Sequence, residues 1–250
     1  MSLVIVEFWE SNDLKQIIDI IKSMNRDVLL EFSNNGLTLK CLDTNHISII
    51  VMKIDNFQFK QYHCENDVQV GINVNDFSIL LRTVVNSIPI KLEISNNKSI
   101  TITTGIAETK AIFNISTIDV DELDIDINNI KSDCKFIIEI SKFIKIIRDF
   151  VDIKCEIINI RSINDTLLIT GKNNSGIEKR LLLHNKRQIE LNLINEIDVC
   201  FNLLAINDLL KQIKVNGLFS IGLSNENPLE LIVHSRIYSL YYYISPLLPN

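Results

Sequence analysis

The chain is poor in residues that interrupt a fold: its 250 residues include only 7 glycines and 4 prolines. No glycine- or proline-rich linker therefore marks a domain boundary. Loops that cradle phosphates are missing too, since neither G-x-x-x-x-G-K-[ST] nor G-x-G-x-x-G occurs. No apolar run approaches the roughly 20 residues that a membrane helix needs. The start, Met1 to Glu7, has no basic stretch and meets a carboxylate too early for a signal peptide. Cysteine is sparse, odd in number and scattered (Cys41, Cys64, Cys134, Cys155, Cys200). That pattern fits reduced thiols in a cytosolic or nuclear compartment, not a disulfide framework. The four histidines (His46, His63, His184, His234) lack metal-ligand spacing to Cys, Asp or Glu, so no metal and no cofactor is expected. Asp43, His46 and His63 are the residues that suggest acid–base work, yet no nucleophile motif accompanies them. No catalytic residue is expected, and a hydrolase built on these three is the rival from the enzyme class. Positive charge is short as well. With 25 basic against 31 acidic side chains the net charge is −6, the wrong sign for a simple basic nucleic-acid-binding domain.

What the sequence does contain is an internal repeat. Four segments carry apolar residues at helical spacing: 11–23 (Leu14, Ile17, Ile18, Ile21), 75–86 (Phe77, Leu80, Leu81, Val84), 141–151 (Phe143, Ile146, Ile147, Phe150) and 204–215 (Ile206, Leu209, Leu210, Ile213). Ser11, Asn75 and Ser141 read as N-caps. A single shift of 129 carries Leu14 onto Phe143, Ile17 onto Ile146, Ile18 onto Ile147, Leu80 onto Leu209 and Leu81 onto Leu210. It also carries the Asn35-Gly36 turn onto Asn164-Asp165. Alternating or β-branched runs fill the intervals, most clearly 28–32, 37–42, 48–54, 68–72, 90–94 and 99–103. Each half thus reads as helix, strands, helix, strands: an α+β domain with two helices on one face of an antiparallel sheet. The expected boundaries are 1–117 for the first domain, 118–132 for a connecting linker and 133–250 for the second. The linker holds five carboxylates between Asp119 and Asp126, with Leu123 and Ile125 as apolar teeth.

The charge is unevenly divided. Opposite their apolar stripes the four helices carry Lys15, Lys22, Arg82, Lys142, Lys145, Arg148, Lys211 and Lys214 against Asp13, Asp19, Asp76, Asp149 and Asp208. That leaves about +3 on the helices and about −9 on the remaining chain. A diffuse positive face without interleaved aromatics suits phosphate contact without base reading.

Four stretches stand out, in order: Gly36-Leu37-Thr38-Leu39-Lys40-Cys41-Leu42-Asp43-Thr44-Asn45-His46-Ile47-Ser48; Tyr62-His63-Cys64-Glu65 with Val70-Gly71-Ile72-Asn73-Val74; Phe143-Ile144-Lys145-Ile146-Ile147-Arg148-Asp149-Phe150; and Pro228-Leu229 through Tyr242-Tyr243-Ile244-Ser245-Pro246. Together they resemble a known family, the eukaryotic-type sliding clamp or proliferating cell nuclear antigen. The resemblance implies a pseudo-sixfold ring of three two-domain chains around double-stranded DNA, with the helices lining the hole. Lys15, Lys22, Arg82, Lys145, Arg148 and Lys211 then sit at or beside basic inner-helix positions of the family. It implies a DNA polymerase processivity factor, served by a clamp loader, that works in DNA replication and repair in the nucleus, or in a viral replication compartment. No membrane contact is expected.

The resemblance also implies a pocket for short-motif partners at Leu42, His46, Ile47, Ile49, Leu123, Ile125, Pro228 and Pro246, with Ser245 at the rim. The residues alone equally allow Leu42, Ile47 and Ile49 to be ordinary core strand positions. A subunit contact would pair a strand at 110–116 (Lys110, Ile112, Phe113, Ile115) with one at 177–183 (Ile177, Lys179, Leu181, Leu183). Departures from the family are Asp124 and Asp126 in the linker, Ile79 at a commonly basic helix position, no lysine near 162–165, and no acidic tail after Leu247. These hint at a divergent viral or protist member. Within the same fold the alternatives are a subunit of a heterotrimeric checkpoint ring and a monomeric viral processivity factor.

Overall fold

The computed structural model describes residues 3–96, 98–106, 108–123, 130–164, 166–184 and 189–247. The chain divides into two compact units: Met1–Thr44, Ile50–Asp124 and Arg236–Ser239 form unit 1; Asn45–Ile49, Ile125–Ser235 and Leu240–Asn250 form unit 2. The first half of the chain runs β1 (Val4–Phe8), α1 (Ser11–Lys22), β2 (Asp27–Ser33), β3 (Gly36–Leu42), β4 (Ser48–Asp55), β5 (Gln61–Cys64), β6 (Val68–Asn73), α2 (Val74–Arg82), β7 (Ile90–Asn96), β8 (Ser99–Ile106) and β9 (Thr109–Ser116). The second runs β10 (Cys134–Glu139), α3 (Ile140–Asp152), β11 (Ile157–Ile163), β12 (Thr166–Lys172), β13 (Glu178–His184), β14 (Ile189–Leu193), β15 (Asp198–Asn202), α4 (Leu203–Leu210), β16 (Leu218–Leu223), β17 (Leu229–His234) and β18 (Ser239–Ile244). A short 3-10 turn, Asn56–Gln58, precedes β5.

The repeat extends to strand order. Sheet order β5-β1-β7-β8-β9 in the first half corresponds to β14-β10-β16-β17-β18 in the second, and β4-β3-β2-β6 to β13-β12-β11-β15. The strand pairings in these sheets are antiparallel among the described residues. The offset fails at the first strand and again at β2 and β3, since Leu29 lies opposite Lys40 and Asn159 opposite Thr170, so β2 and β3 are related to β11 and β12 by a shift of 130. Val4 lies opposite Ile94 and Cys134 opposite Leu223, so β1 and β10 are related by a shift one residue larger than that of β7 and β16. The extra residue sits before α1, where Trp9 and Glu10 separate strand from helix; β10 runs directly into α3.

Each core is the meeting of a helix stripe with sheet alternation. Leu14, Ile17 and Ile18 of α1 and Phe77 of α2 close with Phe8, Phe32, Leu39, Ile72 and Leu92 around a residual void of about 10 Å3. In unit 2 Phe143, Ile146, Ile147 and Phe150 are buried, and Phe143 meets Phe219 edge-on at 5.8 Å. Burying one such side chain contributes roughly 1.5–3 kcal/mol, which is what holds helices of 8 to 13 residues that would not persist alone.

The caps differ from the sequence expectation. Asn73, not Asn75, caps α2: its side-chain oxygen accepts from the Asn75 and Asp76 N–H groups. The repeat-related Asn202 accepts from Leu204 and Ala205 at the start of α4. Glu10 and Glu139 precede α1 and α3 without a side-chain cap; Ser11 is already helical and its hydroxyl donates to Val85 O at 2.5 Å. Helix α4 is also shorter than its apolar spacing predicts, ending at Leu210 with Lys211 as C-cap. Asp165 lies outside the described residues.

Asn73→Ala and Asn202→Ala are each expected to lower stability by about 1 kcal/mol, and together by about 2 because they cap helices in separate units. Thermal unfolding of the three variants checks this; a loss at only one of the two positions would deny their equivalence.

Candidate nucleic-acid interface

The amphipathic helices fix where the basic side chains go. In unit 1, Lys15, Lys22 and Arg82 line one groove of about 280 Å3 between α1 and α2, with Asp19 and Ser78. They are not equivalent. Lys15 is half-buried and its ammonium donates to Val84 O and Asn86 Oδ1, both at 2.5 Å, closing the chain after α2. Lys22 is exposed and donates to Ser78 Oγ at 3.0 Å. Arg82 is exposed in the last turn of α2, where a cation is favoured by the helix dipole.

In unit 2, Lys142, Lys145 and Arg148 recur every three residues along α3, opposite its buried stripe; Lys145 and Arg148 are exposed and Lys142 half-buried. Lys211 lies 2.8 Å from Asp208, a solvent-exposed pair that leaves little net field from α4. Lys214 stands beyond α4 and is exposed. Two of the expected acidic counterweights are paired with cations from outside the helices. Asp13 is 4 % exposed and is gripped by both carboxylate oxygens by Arg236, at 3.1 and 3.2 Å. Burial pushes its carboxyl up from the ordinary value, and the guanidinium opposes that. Asp149 holds Lys179 at 2.8 Å.

The expected docking residues are surface strand and turn positions rather than core. Leu42 and Leu123 of unit 1 are half-exposed. In unit 2, His46 sits exposed in a turn with φ 57°, Ile47 and Ile49 are half-exposed, and Ile47 O accepts from Ser245 N–H at 2.9 Å. Pro228 and Pro246 are half-exposed and Ser245 exposed. Ile125 lies outside the described residues.

The expected contact strands are both sheet edges: β9 ends one sheet and β13 another. Lys110 and Ile112 are exposed, and Phe113 and Ile115 are half-exposed. On β13 the named face is corrected. Leu183 is 4 % exposed and belongs to the core, and Lys179 is held by Asp149 over the Phe150 ring at 5.0 Å. Leu181 is half-buried, while Ile177 is exposed just before the strand. The outward residues are Arg180 and Leu182, the latter 52 % exposed. The run Leu181-Leu182-Leu183 has no alternation, so its outward face cannot be read from the sequence.

No group of three or more potential metal ligands occurs among the described residues. Burial pushes the Cys41 and Cys134 thiols up to about 12, so both stay protonated and unreactive.

A duplicated α+β unit with helix pairs bearing outward cations defines a clamp-type protein. A family model described as "Proliferating cell nuclear antigen, N-terminal domain" matches residues 4–130, and the chain belongs to the proliferating cell nuclear antigen family. It is a non-enzymatic clamp protein. The chain is 27 % identical over 128 residues to "Probable DNA polymerase sliding clamp 1" of Paramecium bursaria Chlorella virus 1, a match spanning 50 % of this chain and 49 % of that one. It is 24 % identical over 239 residues to "DNA polymerase sliding clamp" of Nitrosopumilus maritimus, covering 94 % and 95 % of the two chains. The crystal structure of the proliferating cell nuclear antigen from Entamoeba histolytica shares the fold with a TM-score of 0.88 at 20 % identity, covering 99 % of this chain and all of that one.

Lys15→Met is expected to cost about 1–2 kcal/mol, because Val84 O and Asn86 lose their donor, whereas Lys145→Met is expected to leave stability within about 0.5 kcal/mol. Denaturant unfolding of both variants distinguishes a structural lysine from a surface one.

Proposed function

We propose that the chain is a DNA sliding clamp: a homotrimeric ring of two-domain protomers (1–117 and 133–250, joined by 118–132) that encircles double-stranded DNA. It holds a DNA polymerase on its template and offers a docking surface to a clamp loader and to short-motif replication and repair proteins. The observation that carries this reading is the outward row of Lys142, Lys145 and Arg148 on α3, repeated in kind by Lys15, Lys22 and Arg82 between α1 and α2, in a member of this family. Lysines and arginines on helix faces, with no aromatic side chain among them, contact phosphates without reading bases. Such contacts are weak and salt-sensitive, so they permit sliding, and closure of a ring supplies the retention that they do not. The acidic remainder of the chain keeps other surfaces from competing for DNA.

Trimer formation would join edge strand β9 of one protomer to edge strand β13 of its neighbour, a head-to-tail contact that closes after three steps. Ile112, 59 % exposed, and Leu182 are the apolar side chains best placed to be covered. Partner motifs would seat on Leu42, His46, Ile47, Ile49, Leu123, Ile125, Pro228 and Pro246, with Ser245 at the rim, in an anchor-in-pocket mode. The site of action would be the nucleus, or a viral replication compartment.

Lys142, Lys145 and Arg148 changed together to Ala should reduce the salt dependence of DNA retention by a slope of roughly 2 to 3 and shorten polymerase runs, with the assembly intact. Unchanged runs would remove α3 from the DNA face. Light scattering of the purified chain should give three protomers per particle, and Leu182→Asp should dissociate them. A single protomer for the unmodified chain would overturn the ring in favour of a monomeric processivity factor or a subunit that needs different partners.

A further inference from the structure

Unit 1 has an open cavity of about 810 Å3 beside β2, β3 and β6, much larger than the groove between α1 and α2. Its ionisable lining is Glu31, Asp67 and Glu122, and no basic side chain lines it. Lys40 reaches Glu31 at 3.3 Å and offsets part of that charge. Asp67 and Glu122 are exposed, and no ion pair is formed by either among the described residues. No lining residue belongs to α1 or α2, and none is among the expected docking positions.

The floor of this cavity is a strand edge. β6 ends its sheet, paired only with β2. Ile118 covers part of the free edge: its N–H donates to Gly71 O at 3.0 Å. The approach is so close that a Cβ on Gly71 would stand 2.2 Å from Ile118 O. Backbone direction alternates along a strand with a period of two, so the N–H and C=O of Gln69 point the same way as those of Gly71, away from β2. Neither group has a hydrogen-bond partner among the described residues. Gln69 lines the cavity together with the three carboxylates.

An unpaired strand edge beside acidic side chains accepts an extended backbone that carries cations; a helix cannot satisfy the edge, and an acidic segment or DNA would be repelled. We propose that this groove is a second docking site, which takes an extended lysine- or arginine-bearing segment of a partner protein. The segment adds a short strand to β6 at Gln69 and sets its cations against Glu31, Asp67 and Glu122.

The probe is a fluorescein-labelled octapeptide alternating lysine with valine, titrated with the full chain and followed by fluorescence anisotropy. Binding should weaken about tenfold for the triple variant Glu31→Gln, Asp67→Asn, Glu122→Gln, since three exposed ionic contacts are removed. A peptide of the same charge, N-methylated at alternate backbone positions so that it cannot pair with Gln69, should bind the unmodified chain at least as poorly. This second arm needs no protein variant to fold. Equal binding of the N-methylated peptide would reduce the interaction to unspecific charge, and equal binding by the triple variant would place it elsewhere; either result overturns the proposal, as does the absence of binding. Peptide affinity that rises on dilution of the protein would assign the groove to a second copy of the chain and also overturn it. None of these measurements uses DNA or a closed ring, so failure here leaves the clamp reading untouched.

Discussion

Short amphipathic helices cannot stand alone in water, and each unit of this protein must bury two of them against its strands. The stripe Leu14, Ile17, Ile18, Ile21 in the first unit and the stripe Phe143, Ile146, Ile147, Phe150 in the second are the contacts that meet that demand. Once the stripes face the core, the opposite faces are fixed by helical geometry and carry most of the helices' charged residues; Asp13, buried against Arg236, is turned inward. The surface chemistry is thus a consequence of the core, because no basic side chain chooses its direction independently of the apolar residues three and four positions away.

The outward faces are not uniformly basic. On α2 the exposed ends are Asp76 and Arg82 with the apolar Ile79 between them; on α4 Asp208 and Lys211 satisfy each other. Positive charge therefore concentrates on α3 and in the groove between α1 and α2, and within that groove Lys15 is occupied with the carbonyls that follow α2. On the proposed reading such a distribution would give weak, replaceable contacts, whereas a dense cationic surface would hold a polyanion too tightly to move along it. A net charge of −6 is compatible with it because the excess of acidic residues lies outside the four helices.

Open strand edges are the second constraint. β6, β9 and β13 each end a sheet, and an exposed edge invites pairing with another chain. The three differ in what surrounds them. β9 and β13 present apolar residues such as Ile112 and Leu182, suited to a permanent contact. β6 is partly sealed by Ile118 and otherwise lies among carboxylates, suited to an exchangeable and charged one.

Much of this was legible in the sequence because periodicity survives without knowledge of the fold. Four helices, the offset of 129, the α+β class and the family followed from residue spacing and from motifs such as Tyr62-His63-Cys64-Glu65 and Phe143 to Phe150. What stayed hidden was whatever depends on partners remote in the chain. Asn73 and Asn202 as caps required knowing where the strands β6 and β15 stop. The burial of Asp13 depends on Arg236, 223 residues away, and the inward turn of Leu183 depends on which side of β12 carries the core. The unpaired backbone of Gln69 depends on where the segment after β9 meets β6, which it does at Gly71. Local spacing determined the elements and the sign of each helix face, since those are set within a few residues by backbone geometry. Tertiary structure alone decided which charges are spent on neighbours and which edges remain unpaired, because both are fixed by contacts between segments that no local pattern encodes.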